Sequence, residues 1–307
     1  MHVTLIHNPD SGDAAETSVD KIVALIRNAG HDVVAVSSQG KWRAAIEEPG
    51  DVVAVAGGDG TVGSVALALV GRRVPLAVLP LGTANNISKT LGLADRTLTE
   101  LVDGWSQNRL RKVDVGIAEG PWGSTCFIES LGMGLFAGTM AKLDARQNIE
   151  LIHLDDAQEK VASVVQMMQE RLEDYPATRL NVTIDGQDVS GDYLLLEVLN
   201  TQLVGPNLSL APDADPGDGV FDVVLVREDE RGELENYLTS CLTGRPGSHK
   251  LTVRRGRHLE TVWTGFSMHI DDKAWPGTES AFPLEASPID VTIEPCAVSF
   301  LVPYKSN

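Results

Sequence analysis

A chain of 307 residues, 43% of them hydrophobic, is long enough for two domains with sizeable cores, and a formal charge of −18 argues against nonspecific binding to nucleic acid or anionic lipid. No apolar run reaches the length of a membrane span or of a signal-peptide core. Cys126, Cys241 and Cys296 are scattered, odd in number and without metal-ligand spacing, which fits a reduced cytoplasmic protein with no disulfide framework and no structural metal.

The opening MHVTLIHNP reads as a strand running into a turn, so the fold is expected to begin at Met1. Residues 18–29 have helical periodicity that stops at Gly30, and HDVVAVS is the next strand. GKWRAAIEE is a short helix, DVVAVAG a strand, residues 62–70 a helix, VPLAVLP a strand, and residues 87–91 open another helix. This alternation predicts a parallel sheet covered by helices on both faces. From about Val113 the pattern turns to short strands: KVDVGIA, TCFIESLG, RLNVTIDG, YLLLEVLN and VFDVVLV. A helical excursion over 137–174 interrupts them, clearest in EKVASVVQMMQERLED. The expected organisation is an α/β domain over residues 1–115 and a mostly antiparallel, β-rich domain over 116–296, with the tail 297–307 returning to the first. RPGSHKLTVRRGRH (245–258) is basic within an acidic chain. It is read as a solvated strand edge ahead of a landing point for an anionic surface.

Three loops stand at the carboxyl ends of predicted parallel strands, where ligands gather in open sheets. They are NPDSG (Asn8, Pro9, Asp10, Ser11, Gly12), GGDGT (Gly57, Gly58, Asp59, Gly60, Thr61, leading into Val62 and Gly63) and PLGTANN (with Gly82, Thr83 and Asn85). Each contains glycine and leads towards a helix, so backbone N–H groups can meet a phosphate closely, and Ser11, Thr61, Thr83, Asn8 and Asn85 add side-chain donors. Gly58–Gly63 also matches the GxGxxG dinucleotide pattern, but the next strand ends in LPLGT without the acid that would hold a ribose. A Walker loop and protein-kinase signatures are absent from the sequence.

In this order and spacing, NPDSG, GGDGT and PLGTANN resemble the diacylglycerol kinase catalytic family, which includes sphingosine kinases and bacterial lipid kinases and is related more distantly to NAD kinases. FIESLGMGLFAGTM is similar to the segment that opens the family's second domain, and LAPDADPGDGVFDVVLV (210–226) to its metal-binding stretch. The resemblance implies a nucleotide-binding α/β domain, a β-sandwich-like second domain and an active site in the cleft between them. It implies ATP as donor, Mg²⁺, and the hydroxyl of a diacylglycerol-like or sphingoid-like lipid as acceptor, reached peripherally from the cytoplasm at the inner face of the membrane; a homodimer is compatible with it. Ser37 or Ser38, after the second strand, would also touch the nucleotide. Asp218, before Gly219, would meet the metal, with further contacts near Asp215 and from the backbone at Val220; the same turn without the upstream motifs reads as solvated acid.

The family's late Asp-Gly-Glu triplet supplies a general base. Here MHIDDKAWPGTE stands in its place, with Asp271-Asp272-Lys273. An ammonium is a poor base at neutral pH, so Asp272 or Asp271 accepts the proton, Glu279 reaches in from the following loop, or the base is absent; Asp272 is the favoured reading. GLFAGTM and residues 151–168 are candidate acceptor walls, though core packing is their commoner role. Two rivals stay open: a kinase of a soluble polyol or nucleotide, and a nucleotide-binding regulator that has lost transfer activity, the latter motivated by Lys273.

Overall fold

A computed structural model describes residues 1–12, 17–107, 109–145, 157–244, 251–276 and 285–302. The chain divides into two compact units, Met1–Val115 with Pro295–Asn307, and Gly116–Glu294.

In the first unit, β1 (His2–His7), β2 (Asp32–Ser37), β3 (Val52–Gly57) and β4 (Leu76–Pro80) pair in parallel in the order β4-β3-β1-β2. β1 thus has a later strand on either side, and the direction of winding reverses at its carboxyl end. Right-handed crossovers then put α1 (Val19–Asn28), between β1 and β2, on the face opposite α3 (Asp59–Ala68), between β3 and β4. All six residues of β3 are buried, which is why VVAVAG reads as an unbroken apolar run. The final strand, β17 (Ser287–Val302), contributes Phe300, which pairs in parallel with Leu76.

Helix α3 begins at Asp59, three residues before the periodicity suggests. The Gly58 carbonyl accepts the N–H groups of Thr61 and Val62, both at 3.0 Å, so Asp59, Gly60 and Thr61 form the first helical turn and not a free loop. α2 is the short Trp42–Ala45, α4 is Asn86–Thr90, and α5 is Leu98–Gly104, opened by a capping box between Thr97 and Glu100.

The second unit has an antiparallel sheet whose main path runs β13 (Thr252–Gly256), β12 (Phe221–Arg227), β11 (Gly191–Leu199), β7 (Ser130–Gly134), β15 (Met268–Ile270) and β16 (Lys273–Trp275). A smaller antiparallel set joins β10 (Gln187–Asp188), β9 (Val182–Ile184), β14 (His258–Trp263) and the start of β17. Leu196, Val198, Val223 and Leu225 pack from the first sheet against Ile184, Leu259, Ile289 and Val291 of the second, giving a sandwich core. On its other face β11 presents Leu195 and Leu199 to a second core with Leu135, Phe136, Met168, Leu234 and Leu238 from helices. Both faces being covered, YLLLEVLN is apolar almost throughout.

TCFIESLG, expected as one strand, is two, because the chain breaks at 128–129 between β6 (Gly123–Phe127) and β7. The helical excursion expected over 137–174 appears as α6 (Leu135–Ala145) and the helix Ala157–Leu172, while its residues 146–156, part of the candidate acceptor wall among them, lie outside the described residues. A further helix, Arg231–Thr243, escaped the sequence reading; RGELENYLTSCLT is polar overall and buries only Leu234, Tyr237 and Leu238, at helical spacing. Among the described residues no helix is long and apolar enough to cross a membrane.

Candidate active site

The three glycine-bearing loops of the first unit are bonded to one another. β1 and β3 lie side by side at the winding reversal, with His7 opposite Ala56, so the residues that follow them share the switch point. There the Asn8 Nδ2 donates to Thr61 Oγ1 at 3.1 Å, and the Asn8 N–H donates to the Ala56 carbonyl at 2.9 Å. Asn8 Oδ1 also accepts the Asp10 N–H at 3.1 Å, an Asx turn that shapes NPDSG. Gly12 closes that loop at φ +79°, a left-handed conformation that a side chain would strain.

The third loop is joined to the second through Asp59. Its Oδ2 accepts the Asn86 N–H at 2.9 Å and its Oδ1 accepts the Ile87 N–H at 3.0 Å, so the carboxylate faces the first turn of α4. Burial raises its pKa, against the pull of those backbone donors and of Lys89. Within the loop, Asn85 sits at φ +53°, donates from Nδ2 to the Gly82 carbonyl at 2.6 Å and accepts the Gly82 N–H at 2.9 Å. Thr83 is exposed at the tip. The loop after β2 is tied in as well: Ser38 donates its N–H to the His7 carbonyl at 2.8 Å, Ser37 Oγ accepts the Gln39 N–H, and Gln39 Nε2 donates to Asp10 Oδ2 at 2.5 Å.

The glycines have a reason that the sequence did not disclose. A Cβ on Gly82 would stand 2.5 Å from the Gly58 Cα, and one on Gly58 would stand 3.1 Å from the Gly82 Cα. A Cβ on Gly57 would meet the Thr61 side chain at 3.0 Å. Bare backbone is therefore demanded first by the contact of loop with loop. Val62 and Gly63, expected in the phosphate cradle, are buried within α3 and face the core. The remaining polar groups of the cradle (Asn8, Ser11, Thr61, Thr83) are partly or fully exposed.

In the second unit two turns lie at one end of the larger sheet. Leu199, ending β11, is opposite both Ser130, which begins β7, and Asp222, near the start of β12; Ile270, ending β15, is opposite Leu131. The turn before β12 carries Asp213, Asp215 and Asp218, all exposed, with Val220 half-buried. Asp215 Oδ1 accepts the Gly217 N–H and Asp218 Oδ1 accepts the Val220 N–H, each at 3.1 Å. Asp218 Oδ2 is ion-paired with Arg255 on the edge strand β13, and the same guanidinium lies 3.6 Å from buried Asp222. Burial raises the pKa of Asp222, Arg255 opposing it. Arg255 was passed over in the sequence as part of a solvated basic edge; the described part of that stretch is indeed β13 and the start of β14, while residues 245–250 lie outside the described residues. Carboxylate and carbonyl oxygens are the hard donors that Mg²⁺ takes, so the turn fits that ion once Arg255 gives up Asp218.

The other turn is Asp271-Asp272, between β15 and β16. Asp271 has φ +49°, and its carboxylate accepts the N–H groups of Ile128 (3.1 Å), Glu129 (2.8 Å) and Ser130 (3.2 Å). Burial pushes its pKa up to about 6; the backbone donors oppose that rise and the Asp272 charge adds to it. Asp271 is thus committed to the backbone of 128–130. Asp272 and Lys273 are exposed. Glu279, the third candidate acceptor, lies outside the described residues.

Behind this turn is a pair that the sequence reading missed, His269 and Glu197, with Nε2 and Oε2 2.9 Å apart and both side chains fully buried. The only signal was one acid inside YLLLEVLN and one histidine beside the displaced triplet.

Residues 2–118 match the family model described as "Diacylglycerol kinase catalytic domain", and residues 138–301 the model described as "YegS C-terminal NAD kinase beta sandwich-like domain". The chain belongs to the diacylglycerol kinase family. Members of this family are kinases, so phosphoryl transfer is its reaction class. A diacylglycerol kinase of Mycobacterium tuberculosis (strain ATCC 25618 / H37Rv) is 25% identical over 318 residues, covering 98% of this chain and 95% of the relative. One of Bacillus subtilis (strain 168) is 26% identical over 278 residues, covering 87% and 88%. The fold is shared with a diacylglycerol kinase from Bacillus anthracis str. Sterne, at TM-score 0.70 and 19% identity over 99% of this chain and 97% of that one. It is shared more remotely with yeast NADH kinase complexed with NADH, at TM-score 0.54 and 10% identity, covering 100% and 84%.

Proposed function

We propose that the chain transfers the γ-phosphoryl group of ATP, with Mg²⁺, to the hydroxyl of a lipid or lipid-like alcohol. The observation that carries this reading is the bonding of three phosphate-type loops at one switch point, Asn8 to Thr61 and Asp59 to Asn86. Such a frame presents Ser11, Gly60, Thr61 and Thr83 to the phosphates with little reorganisation. In this reading Asp215, Asp218 and the Val220 backbone would hold Mg²⁺, which would supply charge neutralisation for the phosphates. The acceptor oxygen bonds to the γ-phosphorus while the bond to the β–γ bridging oxygen breaks and ADP leaves. Asp272 takes the hydroxyl proton, since Asp271 is engaged by backbone donors. Family relatives named diacylglycerol kinase favour a lipid acceptor; in this reading the chain meets it peripherally, at the cytoplasmic side of a membrane.

The test is ATP turnover against a panel of diacylglycerols, sphingoid bases and soluble polyols, with Asp272→Asn beside the wild type. A lipid should be phosphorylated, and Asp272→Asn should lose about 10²- to 10⁴-fold in rate with ATP affinity kept. Phosphorylation of polyols alone would replace the lipid assignment. The exposed Lys273 at the third position of the triplet favours one alternative, a nucleotide-binding regulator. ATP binding without turnover, and turnover gained by Lys273→Glu, would establish it.

A further inference from the structure

We propose that the buried His269–Glu197 pair is a positioning device for the Asp271-Asp272 turn, setting where the proton-accepting carboxylate stands. This rests on the function proposed above.

Three adjacent strands are built around the pair. Gly132 of β7 is opposite Glu197 of β11 on one side and His269 of β15 on the other. A Cβ on Gly132 would stand 2.1 Å from Glu197 Oε2. Only glycine there lets the carboxylate cross β7 to reach the imidazole. The Phe136 ring packs against His269 in a T-shaped contact, with centroids 4.8 Å apart and planes at 76°.

Stability does not account for such a pair. Two charges taken from water are costly, and an apolar pair of the same volume is often as stable or more so. Glu197 Oε1 adds to that cost, being buried with no hydrogen-bond partner among the described residues. What the pair provides is direction. The second ring nitrogen of His269, Nδ1, lies 3.0 Å from the backbone carbonyl of Asp271. With Nε2 held by Glu197, the imidazole cannot turn and Nδ1–H must donate to that carbonyl. Burial alone would lower the His269 pKa; the charge and hydrogen bond of Glu197 reverse this and raise it. Asp271 is also gripped by its own N–H, which donates to the Ser130 carbonyl at 2.8 Å, and through its carboxylate by residues 128–130. With Asp271 held at three groups, the next residue, Asp272, has a defined exit from the sheet. His269 and Glu197 therefore act through Asp271 and touch no reactant.

The test uses His269→Leu, His269→Gln and Glu197→Gln in the full chain. Two readouts are taken: steady-state transfer from ATP, and amide hydrogen exchange at residues 128–130. His269→Leu should lower kcat about 100-fold, since small misplacement of a reacting group has that effect, with KM for ATP unchanged. Glu197→Gln keeps a neutral hydrogen-bonded pair and should retain kcat within about tenfold. Exchange at residues 128–130 should quicken in both His269 variants while the centre of β11 stays protected. If His269→Leu does not fold, His269→Gln decides by the same two readouts. Unchanged exchange and unchanged kcat would overturn the proposal, as would a loss spread evenly over the unit. If the wild type phosphorylates no alcohol, the proposed function fails, and the exchange measurement still decides whether the pair holds the turn.

Discussion

Asp59 and Asn86, 27 residues apart, are joined by the Asp59 carboxylate, which accepts the Asn86 N–H at 2.9 Å and the neighbouring Ile87 N–H at 3.0 Å. The acid of GGDGT therefore holds the third loop against the second. Asp59→Asn puts an amide NH₂ where an acceptor is needed and leaves one backbone donor unmatched. It should lose about 1–2 kcal/mol of stability in urea denaturation. ATP affinity, measured by calorimetry on the folded protein, should fall with it. Full affinity would separate the third loop from the nucleotide.

The approach of Gly58 to Gly82 makes a sharper test of the loop frame than loss of either glycine to a large residue. Gly82→Ala places a methyl 2.5 Å from the Gly58 Cα and should destabilise by about 1–3 kcal/mol, read as a drop in Tm. Gly232→Ala is the control, for its Cβ would meet nothing within 4 Å and it lies in a helix. That change should be neutral or stabilising by about 0.5–1 kcal/mol.

Arg255 competes with any cation at the Asp218 turn. Arg255→Gln frees the Asp218 carboxylate and should raise Mn²⁺ affinity severalfold, followed by water-proton relaxation with Mg²⁺ as competitor. Asp218→Asn should lower it. If neither change moves the binding curve, the turn is solvated acid and the metal is held elsewhere.

The His269–Glu197 pair predicts a pH dependence with a definite sign. The folded pKa of His269 is raised above 6.5, so the pair's stabilisation is complete below that value and is lost as pH rises through the folded pKa. The stability difference between wild type and His269→Gln should be largest below pH 6.5 and shrink as pH rises above it in denaturant titrations. Asp271 acts in the same direction at lower pH. Its folded pKa of about 6 exceeds the ordinary 3.8, so ionising it between those values weakens the fold, and Asp271→Asn should gain on the wild type over that window. A wild-type advantage over either variant that grows with pH would contradict the corresponding assignment.

The strand–helix alternation of the first unit, the three loops at its strand ends and the change to a strand-rich pattern near residue 113 were legible in the residues alone. These are local signals: apolar periodicity, and glycine or Asx residues where backbone must turn or lie bare. The sequence reading misjudged the start of α3 because Gly60 and Gly63 have weak helix propensity, which the packing of Val62, Val65 and Ala66 overrides. It missed the helix Arg231–Thr243 because a short apolar stripe in a polar segment leaves little periodicity to see. The roles of the charged residues became readable once the fold had placed their partners. Asp59 meets Asn86 across 27 positions, Asp218 meets Arg255 across 37, and Glu197 meets His269 across 72. A carboxylate's partner is chosen by which strands lie side by side, and strand order is a property of the folded sheet. Asp271 shows the consequence: beside Asp272 in the sequence the two read as equal candidates for the base, and the fold separates them by giving one to the backbone of residues 128–130 and leaving the other exposed.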